Sequence, residues 1–531
     1  MRAAAKTIRW FRATLIFVSH HRIAPNVDDS SDQLAEALAA LRTELELPSA
    51  YPAEAVAEAQ QAVETHGLPE QDLRDIPFVT IDPATSTDLD QALFIDRAGE
   101  GYKVLYAIAD VPSFVAPGGA LDAETRHRGQ TFYAPDGRIP LHPEVISENA
   151  GSLLAGQDCG AFVWDFDLNA TAEVVSVGLS RAAVRSRAKL SYKGAQQQID
   201  DNTAPPVLQL LKEVGLKRVE LERQRGGASL NMPEQEIVQA TDGGGYRIVA
   251  APSLPVEDWN AQISLMTGMA AAQLMLEGKV GILRTMPAPD ERSLQHFKRQ
   301  TTALGKPWDG HVTYGEYLRT LDASDPRQLA ILHSAGMLFR GAGYTPFDGE
   351  VPETVIQAAI GAPYAHTTAP LRRLIDRFVL VICEALSNNR DIPGWAREAL
   401  PSLPEIMASS DQLAGRLERA ALDTVEAALV ANHVGQEFDA VVISGSKPAN
   451  GNNANANGNG NNTNGSNGNG NNTNGSNGNR TNGGGPYGTV QIAEPAVTAR
   501  CDGELESGTK VRVRLVKADI ASREIRFELV Q

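Results

Sequence analysis

The chain has 531 residues, 42% of them hydrophobic: room for about three domains, and too apolar a composition for a disordered protein. Its formal net charge of −17 excludes a protein that coats nucleic acid through its whole surface, although a local basic channel remains compatible with that sum. Three widely spaced cysteines, Cys159, Cys383 and Cys501, exclude a disulfide framework and a cysteine-based zinc cluster, and they fit a reducing compartment.

In chain order, Arg2, Lys6, Arg9 and Arg12 precede the apolar run from Ala13 to Val18. That run is too short for a secretory core, and Ser19-His20-His21-Arg22 follows at once. No other stretch approaches the roughly 20 apolar residues of a membrane span. The expectation is a soluble, cytoplasmic protein that neither enters a membrane nor needs an obligate protein partner. Leu34, Leu38, Leu41 and Leu45 recur at helical spacing, and an Ala/Glu-rich stretch follows Pro52, so residues 1–70 read as a small helical segment.

From Phe78 the pattern turns to strands. Leu89 to Ile95 and Tyr102 to Asp110 predict a hairpin across Ala98-Gly99-Glu100-Gly101. Strand signals continue to about Val184, and helical patterns then dominate at 204–225, 257–277, 326–340, 370–387 and 411–431. This order predicts one α+β body over residues 71–432.

Residues 433–531 carry strand-like pieces at Phe438–Ser444, Thr489–Ala499, Lys510–Ala518 and Glu524–Val530. They predict a five-stranded barrel of the OB type. Two unrelated segments joined by a linker are the alternative. The Asn/Gly tract at 448–485, in which Asn457–Ser466 is repeated as Asn467–Ser476, lacks the apolar residues to offset its ordering entropy and reads as a flexible insert after the first strand.

The most informative stretch is Ile81-Asp82-Pro83-Ala84-Thr85-Ser86-Thr87-Asp88-Leu89-Asp90-Gln91-Ala92. On a strand Asp88 and Asp90 share a face, and the turn at Pro83 can bring Asp82 alongside. Three convergent carboxylates with no basic residue between them repel one another unless a divalent cation neutralises them. Oxygen-only ligation favours magnesium, with manganese as the alternative, and metal-assisted phosphodiester hydrolysis follows. By itself the cluster fits a solvated turn or a structural calcium site better.

Further blocks decide the matter. Ile108-Ala109-Asp110-Val111, Arg128-Gly129-Gln130-Thr131-Phe132-Tyr133, Ala188-Lys189-Leu190-Ser191-Tyr192, Arg223-Gln224-Arg225-Gly226-Gly227 and Tyr364-Ala365-His366-Thr367-Thr368-Ala369-Pro370-Leu371-Arg372-Arg373 follow one another. Together with the aspartates, this series resembles the ribonuclease II/R family over residues 70 to 430, with an RNB-type catalytic domain and a C-terminal RNA-binding OB domain. The resemblance implies a magnesium-dependent exoribonuclease degrading single-stranded RNA from its 3′ end to nucleoside 5′-monophosphates. It implies magnesium on Asp82, Asp88 and Asp90, with Asp90 the most critical for catalysis. It gives Arg372 the scissile phosphate, Tyr133 and Tyr192 the last nucleotides by stacking, and Glu418 a place near the 3′ terminus. Core aromatics at Tyr133 and Tyr192, and a surface ion pair at Arg372, are the alternatives.

Departures from the family pattern are equally specific. Gln91 stands where a fourth aspartate is usual, Leu374 replaces a tyrosine, and Gln262 fills an acidic position. The histidine-arginine pair expected after Asp376 is missing, and the residues before Phe78 are too few for two cold-shock barrels. Basic residues cluster at Arg181 to Lys193, Lys217 to Arg225, Arg372 to Arg377 and Lys510 to Lys517. The last group alternates with Val511, Val513 and Leu515, which predicts either a phosphate-tracking groove or a solvated strand face. A catalytically weak or silent RNA-binding protein is the second functional reading, with Gln91 as the lost ligand. A metal hydrolase acting on something other than RNA is a distant third.

Overall fold

The computed structural model describes residues 30–48, 50–135, 137–228, 254–322, 325–336, 338, 341–447, 485–492 and 497–530, and the backbone of short strands at 7–8, 234–239 and 246–251. The N-terminal basic and apolar run therefore lies outside the described residues except at 7–8, as does the Asn/Gly insert except for Gly485.

The first helices are α1 (Ser30–Glu44) and α2 (Ala53–Thr65), where leucine and alanine spacing predicts them. Then come β1 (Phe78–Asp82), β2 (Gln91–Ala98) and β3 (Gly101–Ala109). The hairpin β2–β3 pairs Ala98 with Gly101, and Gly99 takes a φ of 59° that its missing Cβ permits. A second, short hairpin follows, β4 (Phe132–Ala134) and β5 (Gly137–Ile139), and after it β6 (Asp158–Leu168) and β7 (Val174–Ser191).

The 18-residue β7 organises the body. Its first part runs antiparallel to β6, and its last residues run parallel to β1, with Asp82 opposite Ser191. Since β1, β2, β3 and β6 pair in succession, β7 joins the two edges of the sheet. One face is covered by α3 (Tyr192–Asp200), α4 (Pro206–Gln224), α5 (Pro255–Gly278) and α6 (Leu374–Ser387) around a large apolar core. The other packs on α2 and on Ile146, Leu153 and Leu371. Helix α5 is buried on most sides, as its alanine- and methionine-rich sequence requires; among the described residues no helix is long and apolar enough to cross a membrane.

The 28-residue α7 (Leu403–Val430) links the body to a closed barrel. Its strands are β8 (Glu437–Lys447), β9 (Tyr487–Ile492), β10 (Val497–Asp502), β11 (Lys510–Asp519) and β12 (Glu524–Leu529). They pair in the order β8-β9-β10-β12-β11 and close on β8, with β10–β12 parallel, as in an OB fold. The α+β body and the five-stranded barrel are thus as expected. One element differs: Thr489–Ala499, read as one strand, is split into β9 and β10, and that split supplies the fifth strand. Periodicity does not separate the two because the valines and isoleucines on both sides fill one barrel core.

Candidate active site

Asp82 ends β1, and the chain then turns, with the Ser86 N–H donating to the Pro83 carbonyl at 3.0 Å. Lys189 of β7 secures this turn by donating to the Ala84 and Ser86 carbonyls. The segment from Asp88 to Asp90 precedes β2 rather than lying within a strand. Protein groups hold Leu89 from both sides. The Leu89 N–H donates to Ser152 Oγ at 2.9 Å, and its carbonyl accepts from the Leu153 N–H at 3.0 Å. With Leu89 fully buried, Asp88 and Asp90 turn to the opposite side, where the cavity lies.

Asp90 is buried. One oxygen accepts from the Leu371 N–H at 2.8 Å and the other lies 3.8 Å from Arg372 Nε. The loop that presents Arg372 is braced from within. The fully buried Asp376 carboxylate accepts from the Ala369 N–H at 2.7 Å and from Arg373 at 2.8 and 2.9 Å. The Arg372 carbonyl accepts from the Thr131 N–H at 2.9 Å, and the Leu371 carbonyl lies 3.1 Å from His142 Nδ1.

All seven side chains singled out from the sequence line one cavity of about 840 Å³: Asp82, Asp88, Asp90, Tyr133, Tyr192, Arg372 and Glu418. Tyr133 and Tyr192 are half-buried at its wall, and the Tyr192 hydroxyl accepts from Asn260 Nδ2 at 3.3 Å. Glu418 comes from α7, so the cavity spans the sheet, α5 and α7. Sequence reasoning does not single out Arg138, Glu148 or Asn260, which line it too. Arg138 follows shortly after the family block that ends at Tyr133, and its placement there is the available signal.

The cavity is strongly acidic. Seven carboxylates line it, from Asp82, Asp88, Asp90, Glu144, Glu148, Glu257 and Glu418, against the guanidiniums of Arg138 and Arg372. Burial pushes the Asp82 carboxyl up to about 6, and the neighbouring Asp88 charge adds to the rise. Burial likewise raises Asp90 well above the usual carboxylate range, with Arg372 opposing. Ionised carboxylates in such surroundings require a compensating cation. Among the described residues no three Asp, Glu, His or Cys side chains are gathered closely enough to cage a metal unaided. The all-oxygen donor set nonetheless suits magnesium, which takes one or two carboxylates and completes its shell with water and substrate phosphate.

The departures from the family pattern fall into place individually. Both ends of the Gln91 amide are engaged by protein: Nε2 donates to the Thr368 carbonyl at 2.6 Å, and Oε1 accepts from the Tyr106 hydroxyl at 2.7 Å. Gln262 points away from the cavity, buried, and donates to Glu222 at 2.5 Å. Leu374 is core, and Arg377 is buried against Asp122. Three of the barrel cations are ion-paired on the strand surface: Arg512 with Asp439 and Glu437, Arg514 with Glu437 and Glu528, and Lys517 with Glu524. This pairing favours the solvated strand face there. In the body, Arg181 and Arg185 are likewise paired, with Asp110 and Asp158.

A ring-like mixed sheet with an acidic cavity, followed by a closed five-stranded barrel, is the plan of an RNB-type protein. Residues 70–389 match the RNB domain and residues 477–530 match the RNase II-type exonuclease C-terminal S1 domain; the chain belongs to the RNB-domain family. It is 29% identical over 344 residues to the probable exosome complex exonuclease RRP44 of Caenorhabditis elegans, covering 61% of this chain and 35% of that protein. To ribonuclease R of Escherichia coli it is 26% identical over 437 residues, covering 76% and 52%. To the inactive exonuclease DIS3L2 of Arabidopsis thaliana it is 29% identical over 348 residues, covering 60% and 33%. The chain thus spans about a third to a half of the length of these relatives. In structure it is similar to Mycoplasma genitalium RNase R in complex with ribose methylated single-stranded RNA (TM-score 0.78, 17% identity, 94% of this chain and 78% of that one). It is also similar to yeast Ssd1, a pseudonuclease (TM-score 0.60, 15% identity, 88% and 53%).

Proposed function

We propose that this protein is a divalent-cation-dependent hydrolase of single-stranded RNA that removes nucleoside 5′-monophosphates from the 3′ end. The observation that carries the reading is the cavity itself. Seven carboxylates against two guanidiniums repel a polyanion, so a phosphodiester enters only with cations that reverse the balance. Asp82, Asp88 and Asp90 would hold magnesium or manganese. Such a cation, when bound, supplies an activated water and stabilises charge on the attacking and leaving oxygens. Arg372 stands 3.8 Å from Asp90, positioned by the Asp376-braced loop to take a phosphate oxygen beside it. Tyr133 and Tyr192 offer ring faces at the wall for bases, which stacking holds without reading sequence. Glu418 faces the same space from α7, suited to accept from a terminal ribose hydroxyl. The free, buried thiols of Cys159, Cys383 and Cys501 support a reducing, cytoplasmic setting.

A second reading, a silent RNA-binding protein, is favoured by the engaged amide of Gln91 and by the inactive relatives. One assay separates the two. Labelled single-stranded RNA is incubated with wild type and with Asp90→Asn, with and without magnesium. Degradation by wild type only with the cation, and binding without degradation by Asp90→Asn, is the expected result. Turnover by Asp90→Asn within about tenfold of wild type, roughly 1.4 kcal/mol of barrier, removes Asp90 from catalysis. Wild type that binds RNA but leaves it intact with magnesium establishes the silent reading.

A further inference from the structure

The hairpin β4–β5 sets Tyr133 directly opposite Arg138, so both side chains face the cavity, while Phe132 and Ile139 face α1 and α7 on the other side. The Arg138 guanidinium is engaged at both terminal nitrogens. Nη1 donates to Asp88 Oδ1 at 2.6 Å, and Nη2 donates to Thr87 Oγ1 at 2.7 Å and pairs with Glu148. The Thr87 hydroxyl in turn donates to Glu148 at 2.6 Å. A planar fork is thereby wedged between two carboxylates of the acidic wall, one of them an aspartate of the proposed cation set. Side-chain exposures of 25% for Arg138 and 14% for Asp88 leave the pair reachable from the cavity.

We infer that Arg138 is an internal counter-cation that holds the Asp88 carboxylate in the metal-free protein, and that a divalent cation must displace it to gain Asp88. The inference rests on the cation reading of Asp82, Asp88 and Asp90. Arg138 acts here as a positioning residue, by competing for a ligand. Without it, Asp88 and Glu148 face each other's charge uncompensated when no metal is bound. Displacement leaves the guanidinium without its Asp88 partner, beside Tyr133 and at the place where a nucleotide phosphate arrives. Cation and RNA then favour each other's binding, because the phosphate gives Arg138 a new partner.

The test is a titration with Mn²⁺ alone, followed by the electron paramagnetic resonance of the free ion, on wild type, Arg138→Lys and Arg138→Gln. Lysine keeps the charge but cannot bridge Asp88, Thr87 and Glu148 as a fork does. Contact competition therefore predicts Mn²⁺ binding about threefold tighter in Arg138→Lys and about tenfold tighter in Arg138→Gln, as expected when a coupled competitor is weakened and then removed. Arg138→Lys indistinguishable from wild type overturns the inference, since net charge alone then explains any change in Arg138→Gln. Weaker binding in either variant overturns it too. Should Arg138→Gln fail to fold, the lysine variant still decides. Wild type that cleaves RNA with the cation while Arg138→Lys matches its affinity removes this inference and leaves the hydrolase reading standing. Wild type that neither binds Mn²⁺ nor cleaves RNA removes both.

Discussion

At the scale of single residues, the site depends on His142, which does not line the cavity. His142 is fully buried against the Leu371 carbonyl, one peptide from the Leu371 N–H that holds Asp90. Burial lowers its pKa from 6.5 to about 3. A histidine whose folded pKa lies below the unfolded one gives stability that is fully present above pH 6.5 and lost as the pH falls toward 3. At pH 5 this loss amounts to about 2 kcal/mol. Asparagine can donate to the same carbonyl without titrating. In urea unfolding at pH 7 and pH 5, His142→Asn should therefore show a smaller acid loss than wild type, by about 2 kcal/mol. Equal losses in both proteins would show that His142 titrates freely in the folded state. Gln91 teaches a related lesson. Its amide joins the start of β2 to the Thr368 carbonyl, so here the departure from aspartate serves as a structural tie.

At the scale of elements, α1 stands out because its leucines pack on the far side of the very hairpin that carries Tyr133 and Arg138. Leu34, Leu38, Leu41 and Leu45 share one cluster with Phe132, Ile139 and Leu417. Leu38 is 1% exposed, so Leu38→Ala should cost about 3 kcal/mol in chemical denaturation. Because the lost packing lies beneath Tyr133, it should also weaken single-stranded RNA binding measured by fluorescence anisotropy. Unchanged affinity in a destabilised variant would mean that the hairpin keeps its position without α1. The Asn/Gly tract makes the opposite case. Its flanking strands are already in register, with Lys447 opposite Tyr487, so a short turn can replace 448–485 and close the same barrel. Loop-closure entropy predicts a stability unchanged or raised by up to about 2 kcal/mol, read from the thermal midpoint, with RNA affinity preserved. A large affinity loss would assign the tract a contact with substrate.

For the whole molecule, charge is distributed so that most basic clusters are neutralised locally. Arg181 and Arg185 on the sheet and Arg512, Arg514 and Lys517 on the barrel all have acidic partners, and the two guanidiniums that line the cavity, Arg138 and Arg372, lie beside carboxylates as well. Counterion release then predicts a shallow salt dependence of single-stranded RNA binding. Two phosphate contacts give a slope of about −1.4 in log affinity against log salt. A slope steeper than about −3 would reveal a basic track outside the cavity.

The chemical inventory of the cavity can be read in one dimension. Asp82, Asp88, Asp90, Tyr133, Tyr192 and Arg372 were legible in local motifs and Glu418 only through a looser family match, and all seven meet at one cavity. Helical leucine spacing and strand alternation likewise fixed most elements, because each depends on neighbours within a few residues. Tertiary structure alone decided what those residues do to one another. Leu89 is anchored 63 residues away at Ser152, Gln91 is tied to Thr368, and Arg138 reaches 50 residues back to Asp88. Whether the barrel's cations formed a groove or a ladder of ion pairs also depended on the acids of neighbouring strands, set by register. Charge pairing is a property of distance in space, and a one-dimensional pattern carries that distance only where the chain is locally regular.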